Sequence, residues 1–249
     1  MILFVLEGTR PDKSICKAIM SLLGKTEESL IVAYGYNIYE LYGELIDLGE
    51  GADLVDLLMD KYSNDSSKAP DNWVSKTEQI SEKYLFFDYD FHDVNRNPEV
   101  LNNQLRYMLD YFNEETEHGK LYINYPMVES IRYTKELPDT EFFKYTVSRE
   151  ECRSFKHLVN DFSFYPNNDF ITRGDASALK DTWTRLKIQN VAKANYICNG
   201  NKVFPPQRAE SISQNIILDK QILKYESCPD CRVAVLSSFP ILLYDWLGY

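Results

Sequence analysis

Residues 83–93 read KYLFFDYDFHD, and the change of character at Asp88 decides what surrounds them. From Tyr84 to Phe87 the chain is apolar without alternation, as a strand buried on both faces requires. The run stops at Asp88, and Asp90, His92 and Asp93 come within five residues of it. Like charges this close repel, so they need a metal ion, a covalent phosphoryl chemistry, or simply water around an ordinary loop.

Working outward, the same pattern recurs. ILFVL (2–6) is another continuous apolar run and ends at Glu7-Gly8. A helix comes next in SICKAIMSLLG, with Gly24 placed as its C-terminal stop. SLIVAY (29–34) predicts a second strand; NIYELYGELIDL and DLVDLLMDKY predict helices; the turn-rich segment 63–76 reads as a loop. Beyond the acidic stretch, EVLNNQLRYMLDYFN carries Leu101, Leu105, Met108, Leu109 and Phe112 on one helical face. KLYINYP predicts the fourth strand, and MVESIRY a short helix. Strand and helix thus alternate four times, which requires crossover connections and a mostly parallel sheet flanked by helices. The expected fold is α/β over residues 1–135, with a mainly helical region over 136–249. In that region GDASALKDTWTRLKIQNVAKANYI, AESISQNIILDKQILKY and VAVLSSFPILLYDWLG all read as mainly helical. Trp183, Trp246 and the apolar close of the chain suit core or a homo-oligomer contact.

In parallel sheets, functional groups gather at the carboxyl ends of the strands. Glu7, Asp88 and Asp90 sit there, and Glu129 lies just past the fourth strand. An all-oxygen set of this kind suits a hard ion, Mg²⁺ or Mn²⁺. Asp90 shares a side with Asp88 if the chain stays extended. Asp93 suits a turn or helix cap, and His92 a solvated loop position as readily as a ligand.

The arrangement resembles the Toprim domain, found in topoisomerases, primases and OLD-type and RloB-like nucleases. That family places a glutamate after the first strand and a D-x-D after a later one, matched here by Glu7 with Asp88 and Asp90. EGTRPDKSICKAI looks like the turn that opens RloB-like proteins, and YPMVESI like their later strand-to-helix segment, which brings in Glu129. The resemblance covers residues 1–135; the loop at 63–76, His92 and Asp93 depart from the minimal pattern. It implies Mg²⁺-dependent (or Mn²⁺-dependent) phosphodiester cleavage of DNA or RNA, tRNA included, in bacterial defence against phage. Asp88 and Asp90 would hold the ion, Glu7 would be a further ligand or general base, and Glu129 would help with a second ion. The related nucleases often work beside an ATPase; without a G-x-x-x-x-G-K-[ST] of its own, this chain would need a separate one.

Composition narrows the partners. A net charge of −11 argues against a protein coated in nucleic-acid-binding surface. Between Arg173 and Arg208, however, seven basic residues face two acids, so Lys180, Arg185, Lys187 and Lys193 are candidates for phosphate contact, together with Arg10 near the first strand. A solvated helix face is the plainer reading of the same charges. No apolar run is long enough to span a bilayer, and MILFVLEGTR lacks the features of a signal peptide, so a cytoplasmic protein is expected. Five cysteines do not suggest a disulfide framework, and the single C-x-x-C formed by Cys228 and Cys231 does not define a zinc site, which needs four ligands.

Two rival readings use the same residues. A haloacid-dehalogenase-like phosphatase also places D-x-D after a buried strand, with the first Asp as nucleophile and the second as general acid. Its motif normally lies near the N-terminus and continues to Thr or Val, where this chain has His92. A D-x-D glycosyltransferase would need a second nucleotide-sugar signature. The non-enzymatic alternative is a Toprim-like subunit that recognises a partner or nucleic acid without cutting it.

Overall fold

A computed structural model describes residues 1–49, 51–64, 70, 73–90, 96–227 and 230–247. The protein is mixed α/β: a five-stranded, mostly parallel sheet flanked by helices, with a largely helical C-terminal region. The strands are β1 (Ile2–Leu6), β2 (Ser29–Ala33), β3 (Glu82–Asp88), β4 (Asn113–Glu114) and β5 (Gly119–Asn124), in the order β2-β1-β3-β5-β4. β3 is therefore the central strand. The chain divides into two compact units, Met1–Phe87 with Asn97–Leu121, and Asp88–Arg96 with Tyr122–Tyr249.

In the first unit, β1 lies parallel to both β2 and β3, with Leu6 opposite Ala33 and Phe86. All five residues of β1 are buried, as the unbroken apolar run demands of a strand with neighbours on both edges. Phe4 stacks on Tyr84 across this pairing, with ring centroids 5.6 Å apart. The helices are α1 (Pro11–Leu22), α2 (Ile38–Leu48), α3 (Leu54–Asn64), α4 (Trp73–Thr77) and α5 (Pro98–Tyr111). Asn37 caps α2, its side chain accepting from the N–H groups of Tyr39 and Glu40. Leu101, Leu105, Met108 and Leu109 form the buried face of α5. α4 interrupts the expected loop at 63–76, where Trp73 turns inward and meets Tyr62 edge-on. The antiparallel edge strand β4, too short to leave a periodic signal, pairs Glu114 with Gly119.

The second unit is built around α9 (Ala176–Asn199). Asp175 caps its start by accepting from the Ala178 N–H, and Gly200, at φ 74°, ends it in the left-handed conformation glycine adopts freely. Helices α6 (Arg149–Cys152), α7 (Phe155–Phe162), α8 (Asp169–Thr172), α10 (Gln214–Gln221) and α11 (Phe239–Leu247) complete the unit. Trp183 is buried against α8, donating from Nε1 to the Ile171 carbonyl at 3.1 Å. The helical readings hold, with refinements: MVESIRY forms a short 3₁₀ helix (Val128–Arg132), AESISQNIILDKQILKY is helical as a 3₁₀ turn, α10 and a π-helical turn (Ile222–Glu226), and VAVLSSFPILLYDWLG opens on a strand before α11. That strand, β7 (Arg232–Ala234), pairs antiparallel with β6 (Thr146–Ser148) through Val233 and Val147. From Phe239 to Tyr244 the closing helix is buried, so these residues serve the core.

Gly119 starts β5 at φ 122°, and a Cβ there would stand 2.8 Å from Leu85 Cδ1 and 3.1 Å from Lys83 Cβ. Gly119→Ala is therefore expected to lower the unfolding free energy by about 1–3 kcal/mol in a urea titration, whereas Gly43→Ala, in the open, should not.

Candidate functional site

At the carboxyl end of β3 the two aspartates are held by what lies between them. The Tyr89 N–H donates to the carbonyls of Asn124 (3.0 Å) and Pro126 (3.1 Å), its ring packs on Tyr125, and its hydroxyl donates to Glu226 Oε2 at 2.6 Å. Asp88 is half-buried, and Asn124 Nδ2 donates to its Oδ1 at 3.3 Å. Asn124 itself is fully buried; its Oδ1 accepts from the N–H (3.1 Å) and hydroxyl (2.9 Å) of Ser238. The amide thus has a fixed orientation, with its donor end turned toward Asp88. At Asp90 the chain leaves the extended conformation for φ 48°. Two-residue alternation therefore does not relate Asp88 and Asp90; a left-handed turn aims the second carboxylate. Asp is one of the few side chains that enter this region at modest cost. His92 and Asp93 lie outside the described residues.

Glu7 comes directly after β1, and its N–H donates to the Phe86 carbonyl at 3.0 Å, which continues the β1–β3 ladder past the end of β1. The Asp12 side chain reaches back to Gly8, where a Cβ would lie 2.5 Å from its Oδ2. Asp12 is buried, a role that its place in a polar turn did not suggest. Arg10 is exposed at the start of α1.

Glu129 lies in the 3₁₀ turn after β5, with a mostly buried side chain. Its Oε1 is 3.6 Å from Lys156 Nζ, and its Oε2 is buried without a hydrogen-bond partner among the described residues. Its charge also partly supports that of Arg132, whose pKa burial pushes down. Among the described residues no three His, Cys, Asp or Glu side chains gather as a metal-binding group. A centre of three or more carboxylates is therefore not formed among them. Mg²⁺ usually keeps several waters and takes one or two carboxylates, and for that smaller set Asp88 and Asp90 supply suitable oxygen donors.

The expected basic face of α9 is corrected in two places. Lys180 is exposed, and Arg185 is exposed but ion-paired with Asp181 at 2.8 Å. Lys187 is buried. Lys193 is wholly buried, its Nζ donating to the Tyr145 carbonyl at 2.7 Å and lying 4.3 Å from the Phe142 ring centroid. Neither can offer its charge to a nucleic-acid backbone without leaving the interior. Burial holds the Lys193 pKa well below its ordinary 10.5, partly opposed by Asp139. Asp139 in turn accepts from the N–H groups of Lys135 and Glu141 and the hydroxyls of Thr134 and Tyr145. Cys16, Cys152 and Cys198 are buried free thiols, with burial pushing Cys152 and Cys198 up to about 12. Cys231 is also free, and Cys228 lies outside the described residues.

No protein family, curated protein or solved structure matches this chain. Among the described residues no helix is long and apolar enough to cross a membrane.

Lys193→Met tests the interior lysine. The Tyr145 carbonyl would keep the Val235 N–H as donor, at 3.0 Å, so removing the amine leaves no orphaned acceptor. The variant is expected to gain about 1 kcal/mol or more in unfolding free energy near pH 7. Because the folded pKa is depressed, the unfolded chain binds more protons between that pKa and 10.5, and stability from this group rises with pH across that window. Urea titrations at several alkaline pH values should show this slope in the wild type and its loss in the variant.

Proposed function

We propose that this protein is a Mg²⁺-dependent (or Mn²⁺-dependent) nuclease of the Toprim type, cutting phosphodiester bonds in DNA or RNA. The observation that carries the reading is the position of Asp88 and Asp90 at the carboxyl end of the central strand of a mostly parallel sheet. Ligands of open α/β sheets bind at such strand ends. In this reading the two aspartates would hold the ion, and Asn124 orients Asp88 through a fixed amide. When bound, the ion would neutralise charge on the phosphate and orient the nucleophile. Arg10, Lys180 and Arg185, all exposed, are the basic side chains this reading leaves for the phosphate backbone. A role in defence against phage, beside a separate ATPase, rests on the resemblance alone.

A second reading, a Toprim-like subunit that binds without cutting, is favoured by one specific observation. Among the described residues no three His, Cys, Asp or Glu side chains are placed to hold a metal ion together.

Incubation with tRNA and with plasmid DNA, with and without Mg²⁺ or Mn²⁺, separates the two. The nuclease reading expects cleavage only with metal, reduced roughly 10²-fold or more in Asp88→Asn. Cleavage that persists undiminished in Asp88→Asn contradicts the assigned site. Nucleic-acid binding without metal-dependent cleavage selects the second reading.

A further inference from the structure

The first unit holds a cavity of about 470 Å³ between α2 and α3, lined by none of the strand-end carboxylates. From α2 come Glu44, Asp47 and Leu48, whose three- and four-residue spacings put them on one helical face. From α3 come Leu57, Asp60 and Lys61 at the same spacings, and Tyr36 contributes an aromatic wall. The lining therefore carries three carboxylates against one ammonium, beside aliphatic surface.

The lining already shows how it treats a cation. Lys61 Nζ stands 3.6 Å from the ring centroid of Tyr34 and 4.1 Å from that of Tyr36, and the two rings meet edge-on at 6.0 Å. Aromatic faces at such distances attract ammonium and guanidinium groups. Tyr34 is 1 % exposed, and its buried hydroxyl is directed at the Glu44 carboxylate, which ties the aromatic pair to the acidic lining. Lys61 can neutralise at most one of the three carboxylates. The remaining charge repels phosphates and attracts cations.

We propose that this cavity binds a small aliphatic amine or guanidinium compound, with its charged group against Glu44, Asp47 and Asp60 and its alkyl chain against Leu48 and Leu57. Its volume lies within the range of small-molecule sites, about 300–1,000 Å³. The proposal does not depend on the nuclease reading, since it uses none of the same residues.

Isothermal titration of the full chain with agmatine and with spermidine, near physiological salt, tests it, with 1,4-butanediol as the uncharged control. One-site saturable binding is expected for at least one amine and none for the diol. Asp47 and Asp60 are exposed, so Asp47→Asn with Asp60→Asn should leave the fold intact and weaken binding about tenfold or more. Lys61→Met, which removes the competing ammonium, should tighten it. Absence of saturable binding up to about 10 mM amine overturns the proposal, as does an affinity unchanged by the double substitution. The second result would mean diffuse attraction to an acidic surface. If Lys61→Met unfolds, the double variant alone decides.

Discussion

The backbone N–H of Tyr89 donates to two carbonyls at once, its ring packs on Tyr125, and its hydroxyl is held by Glu226. A residue fixed at its backbone, ring and hydroxyl cannot readily shift, and its two neighbours in sequence are the aspartates. The geometry of the whole carboxyl end of β3 depends on that anchor. Asp88 meets the amide of Asn124, while Asp90 turns into a left-handed conformation that a freely extended chain would not adopt. Backbone in sparsely populated regions persists where its surroundings over-determine it, and such positions cluster at functional sites.

Asn124 joins this strand end to the last helix of the same unit. Its carbonyl oxygen accepts twice from Ser238, just before α11, and its amide nitrogen donates to Asp88. Buried amides satisfied on both ends are rigid, because turning one over would set donor against donor. The C-terminal region is thereby part of what orients the candidate carboxylate, although its sequence gives no hint of chemistry.

The architecture was legible where burial acts on a whole run. ILFVL and YLFF read as strands because a strand flanked on both faces needs apolar residues throughout, and both are buried as expected. α9 was legible in extent and not in environment. From its midpoint on it carries Lys187, Gln189, Asn190, Lys193 and Asn195, which look like a solvated face, yet all are buried. Asn190 is paired within the interior, donating to the Leu186 carbonyl and accepting from the Ser237 N–H, and a partner as distant in sequence as Ser237 leaves no periodic trace. Asn124 and Tyr89 were missed for the same reason. Asp12 was hidden in a polar turn, where only the approach to Gly8 shows that it points inward. How the strand-end carboxylates point was not legible, because strand register aligns backbones and leaves side-chain direction open.

Direct titration of Mn²⁺ into the metal-free full chain, read by electron paramagnetic resonance, tests the central claim without depending on any substrate. The expected result is a bound ion in the wild type whose affinity drops at least about tenfold in Asp88→Asn with Asp90→Asn, with an unchanged far-ultraviolet circular dichroism spectrum. Binding of equal affinity in the wild type and this double variant, or no bound Mn²⁺ in either, would contradict it.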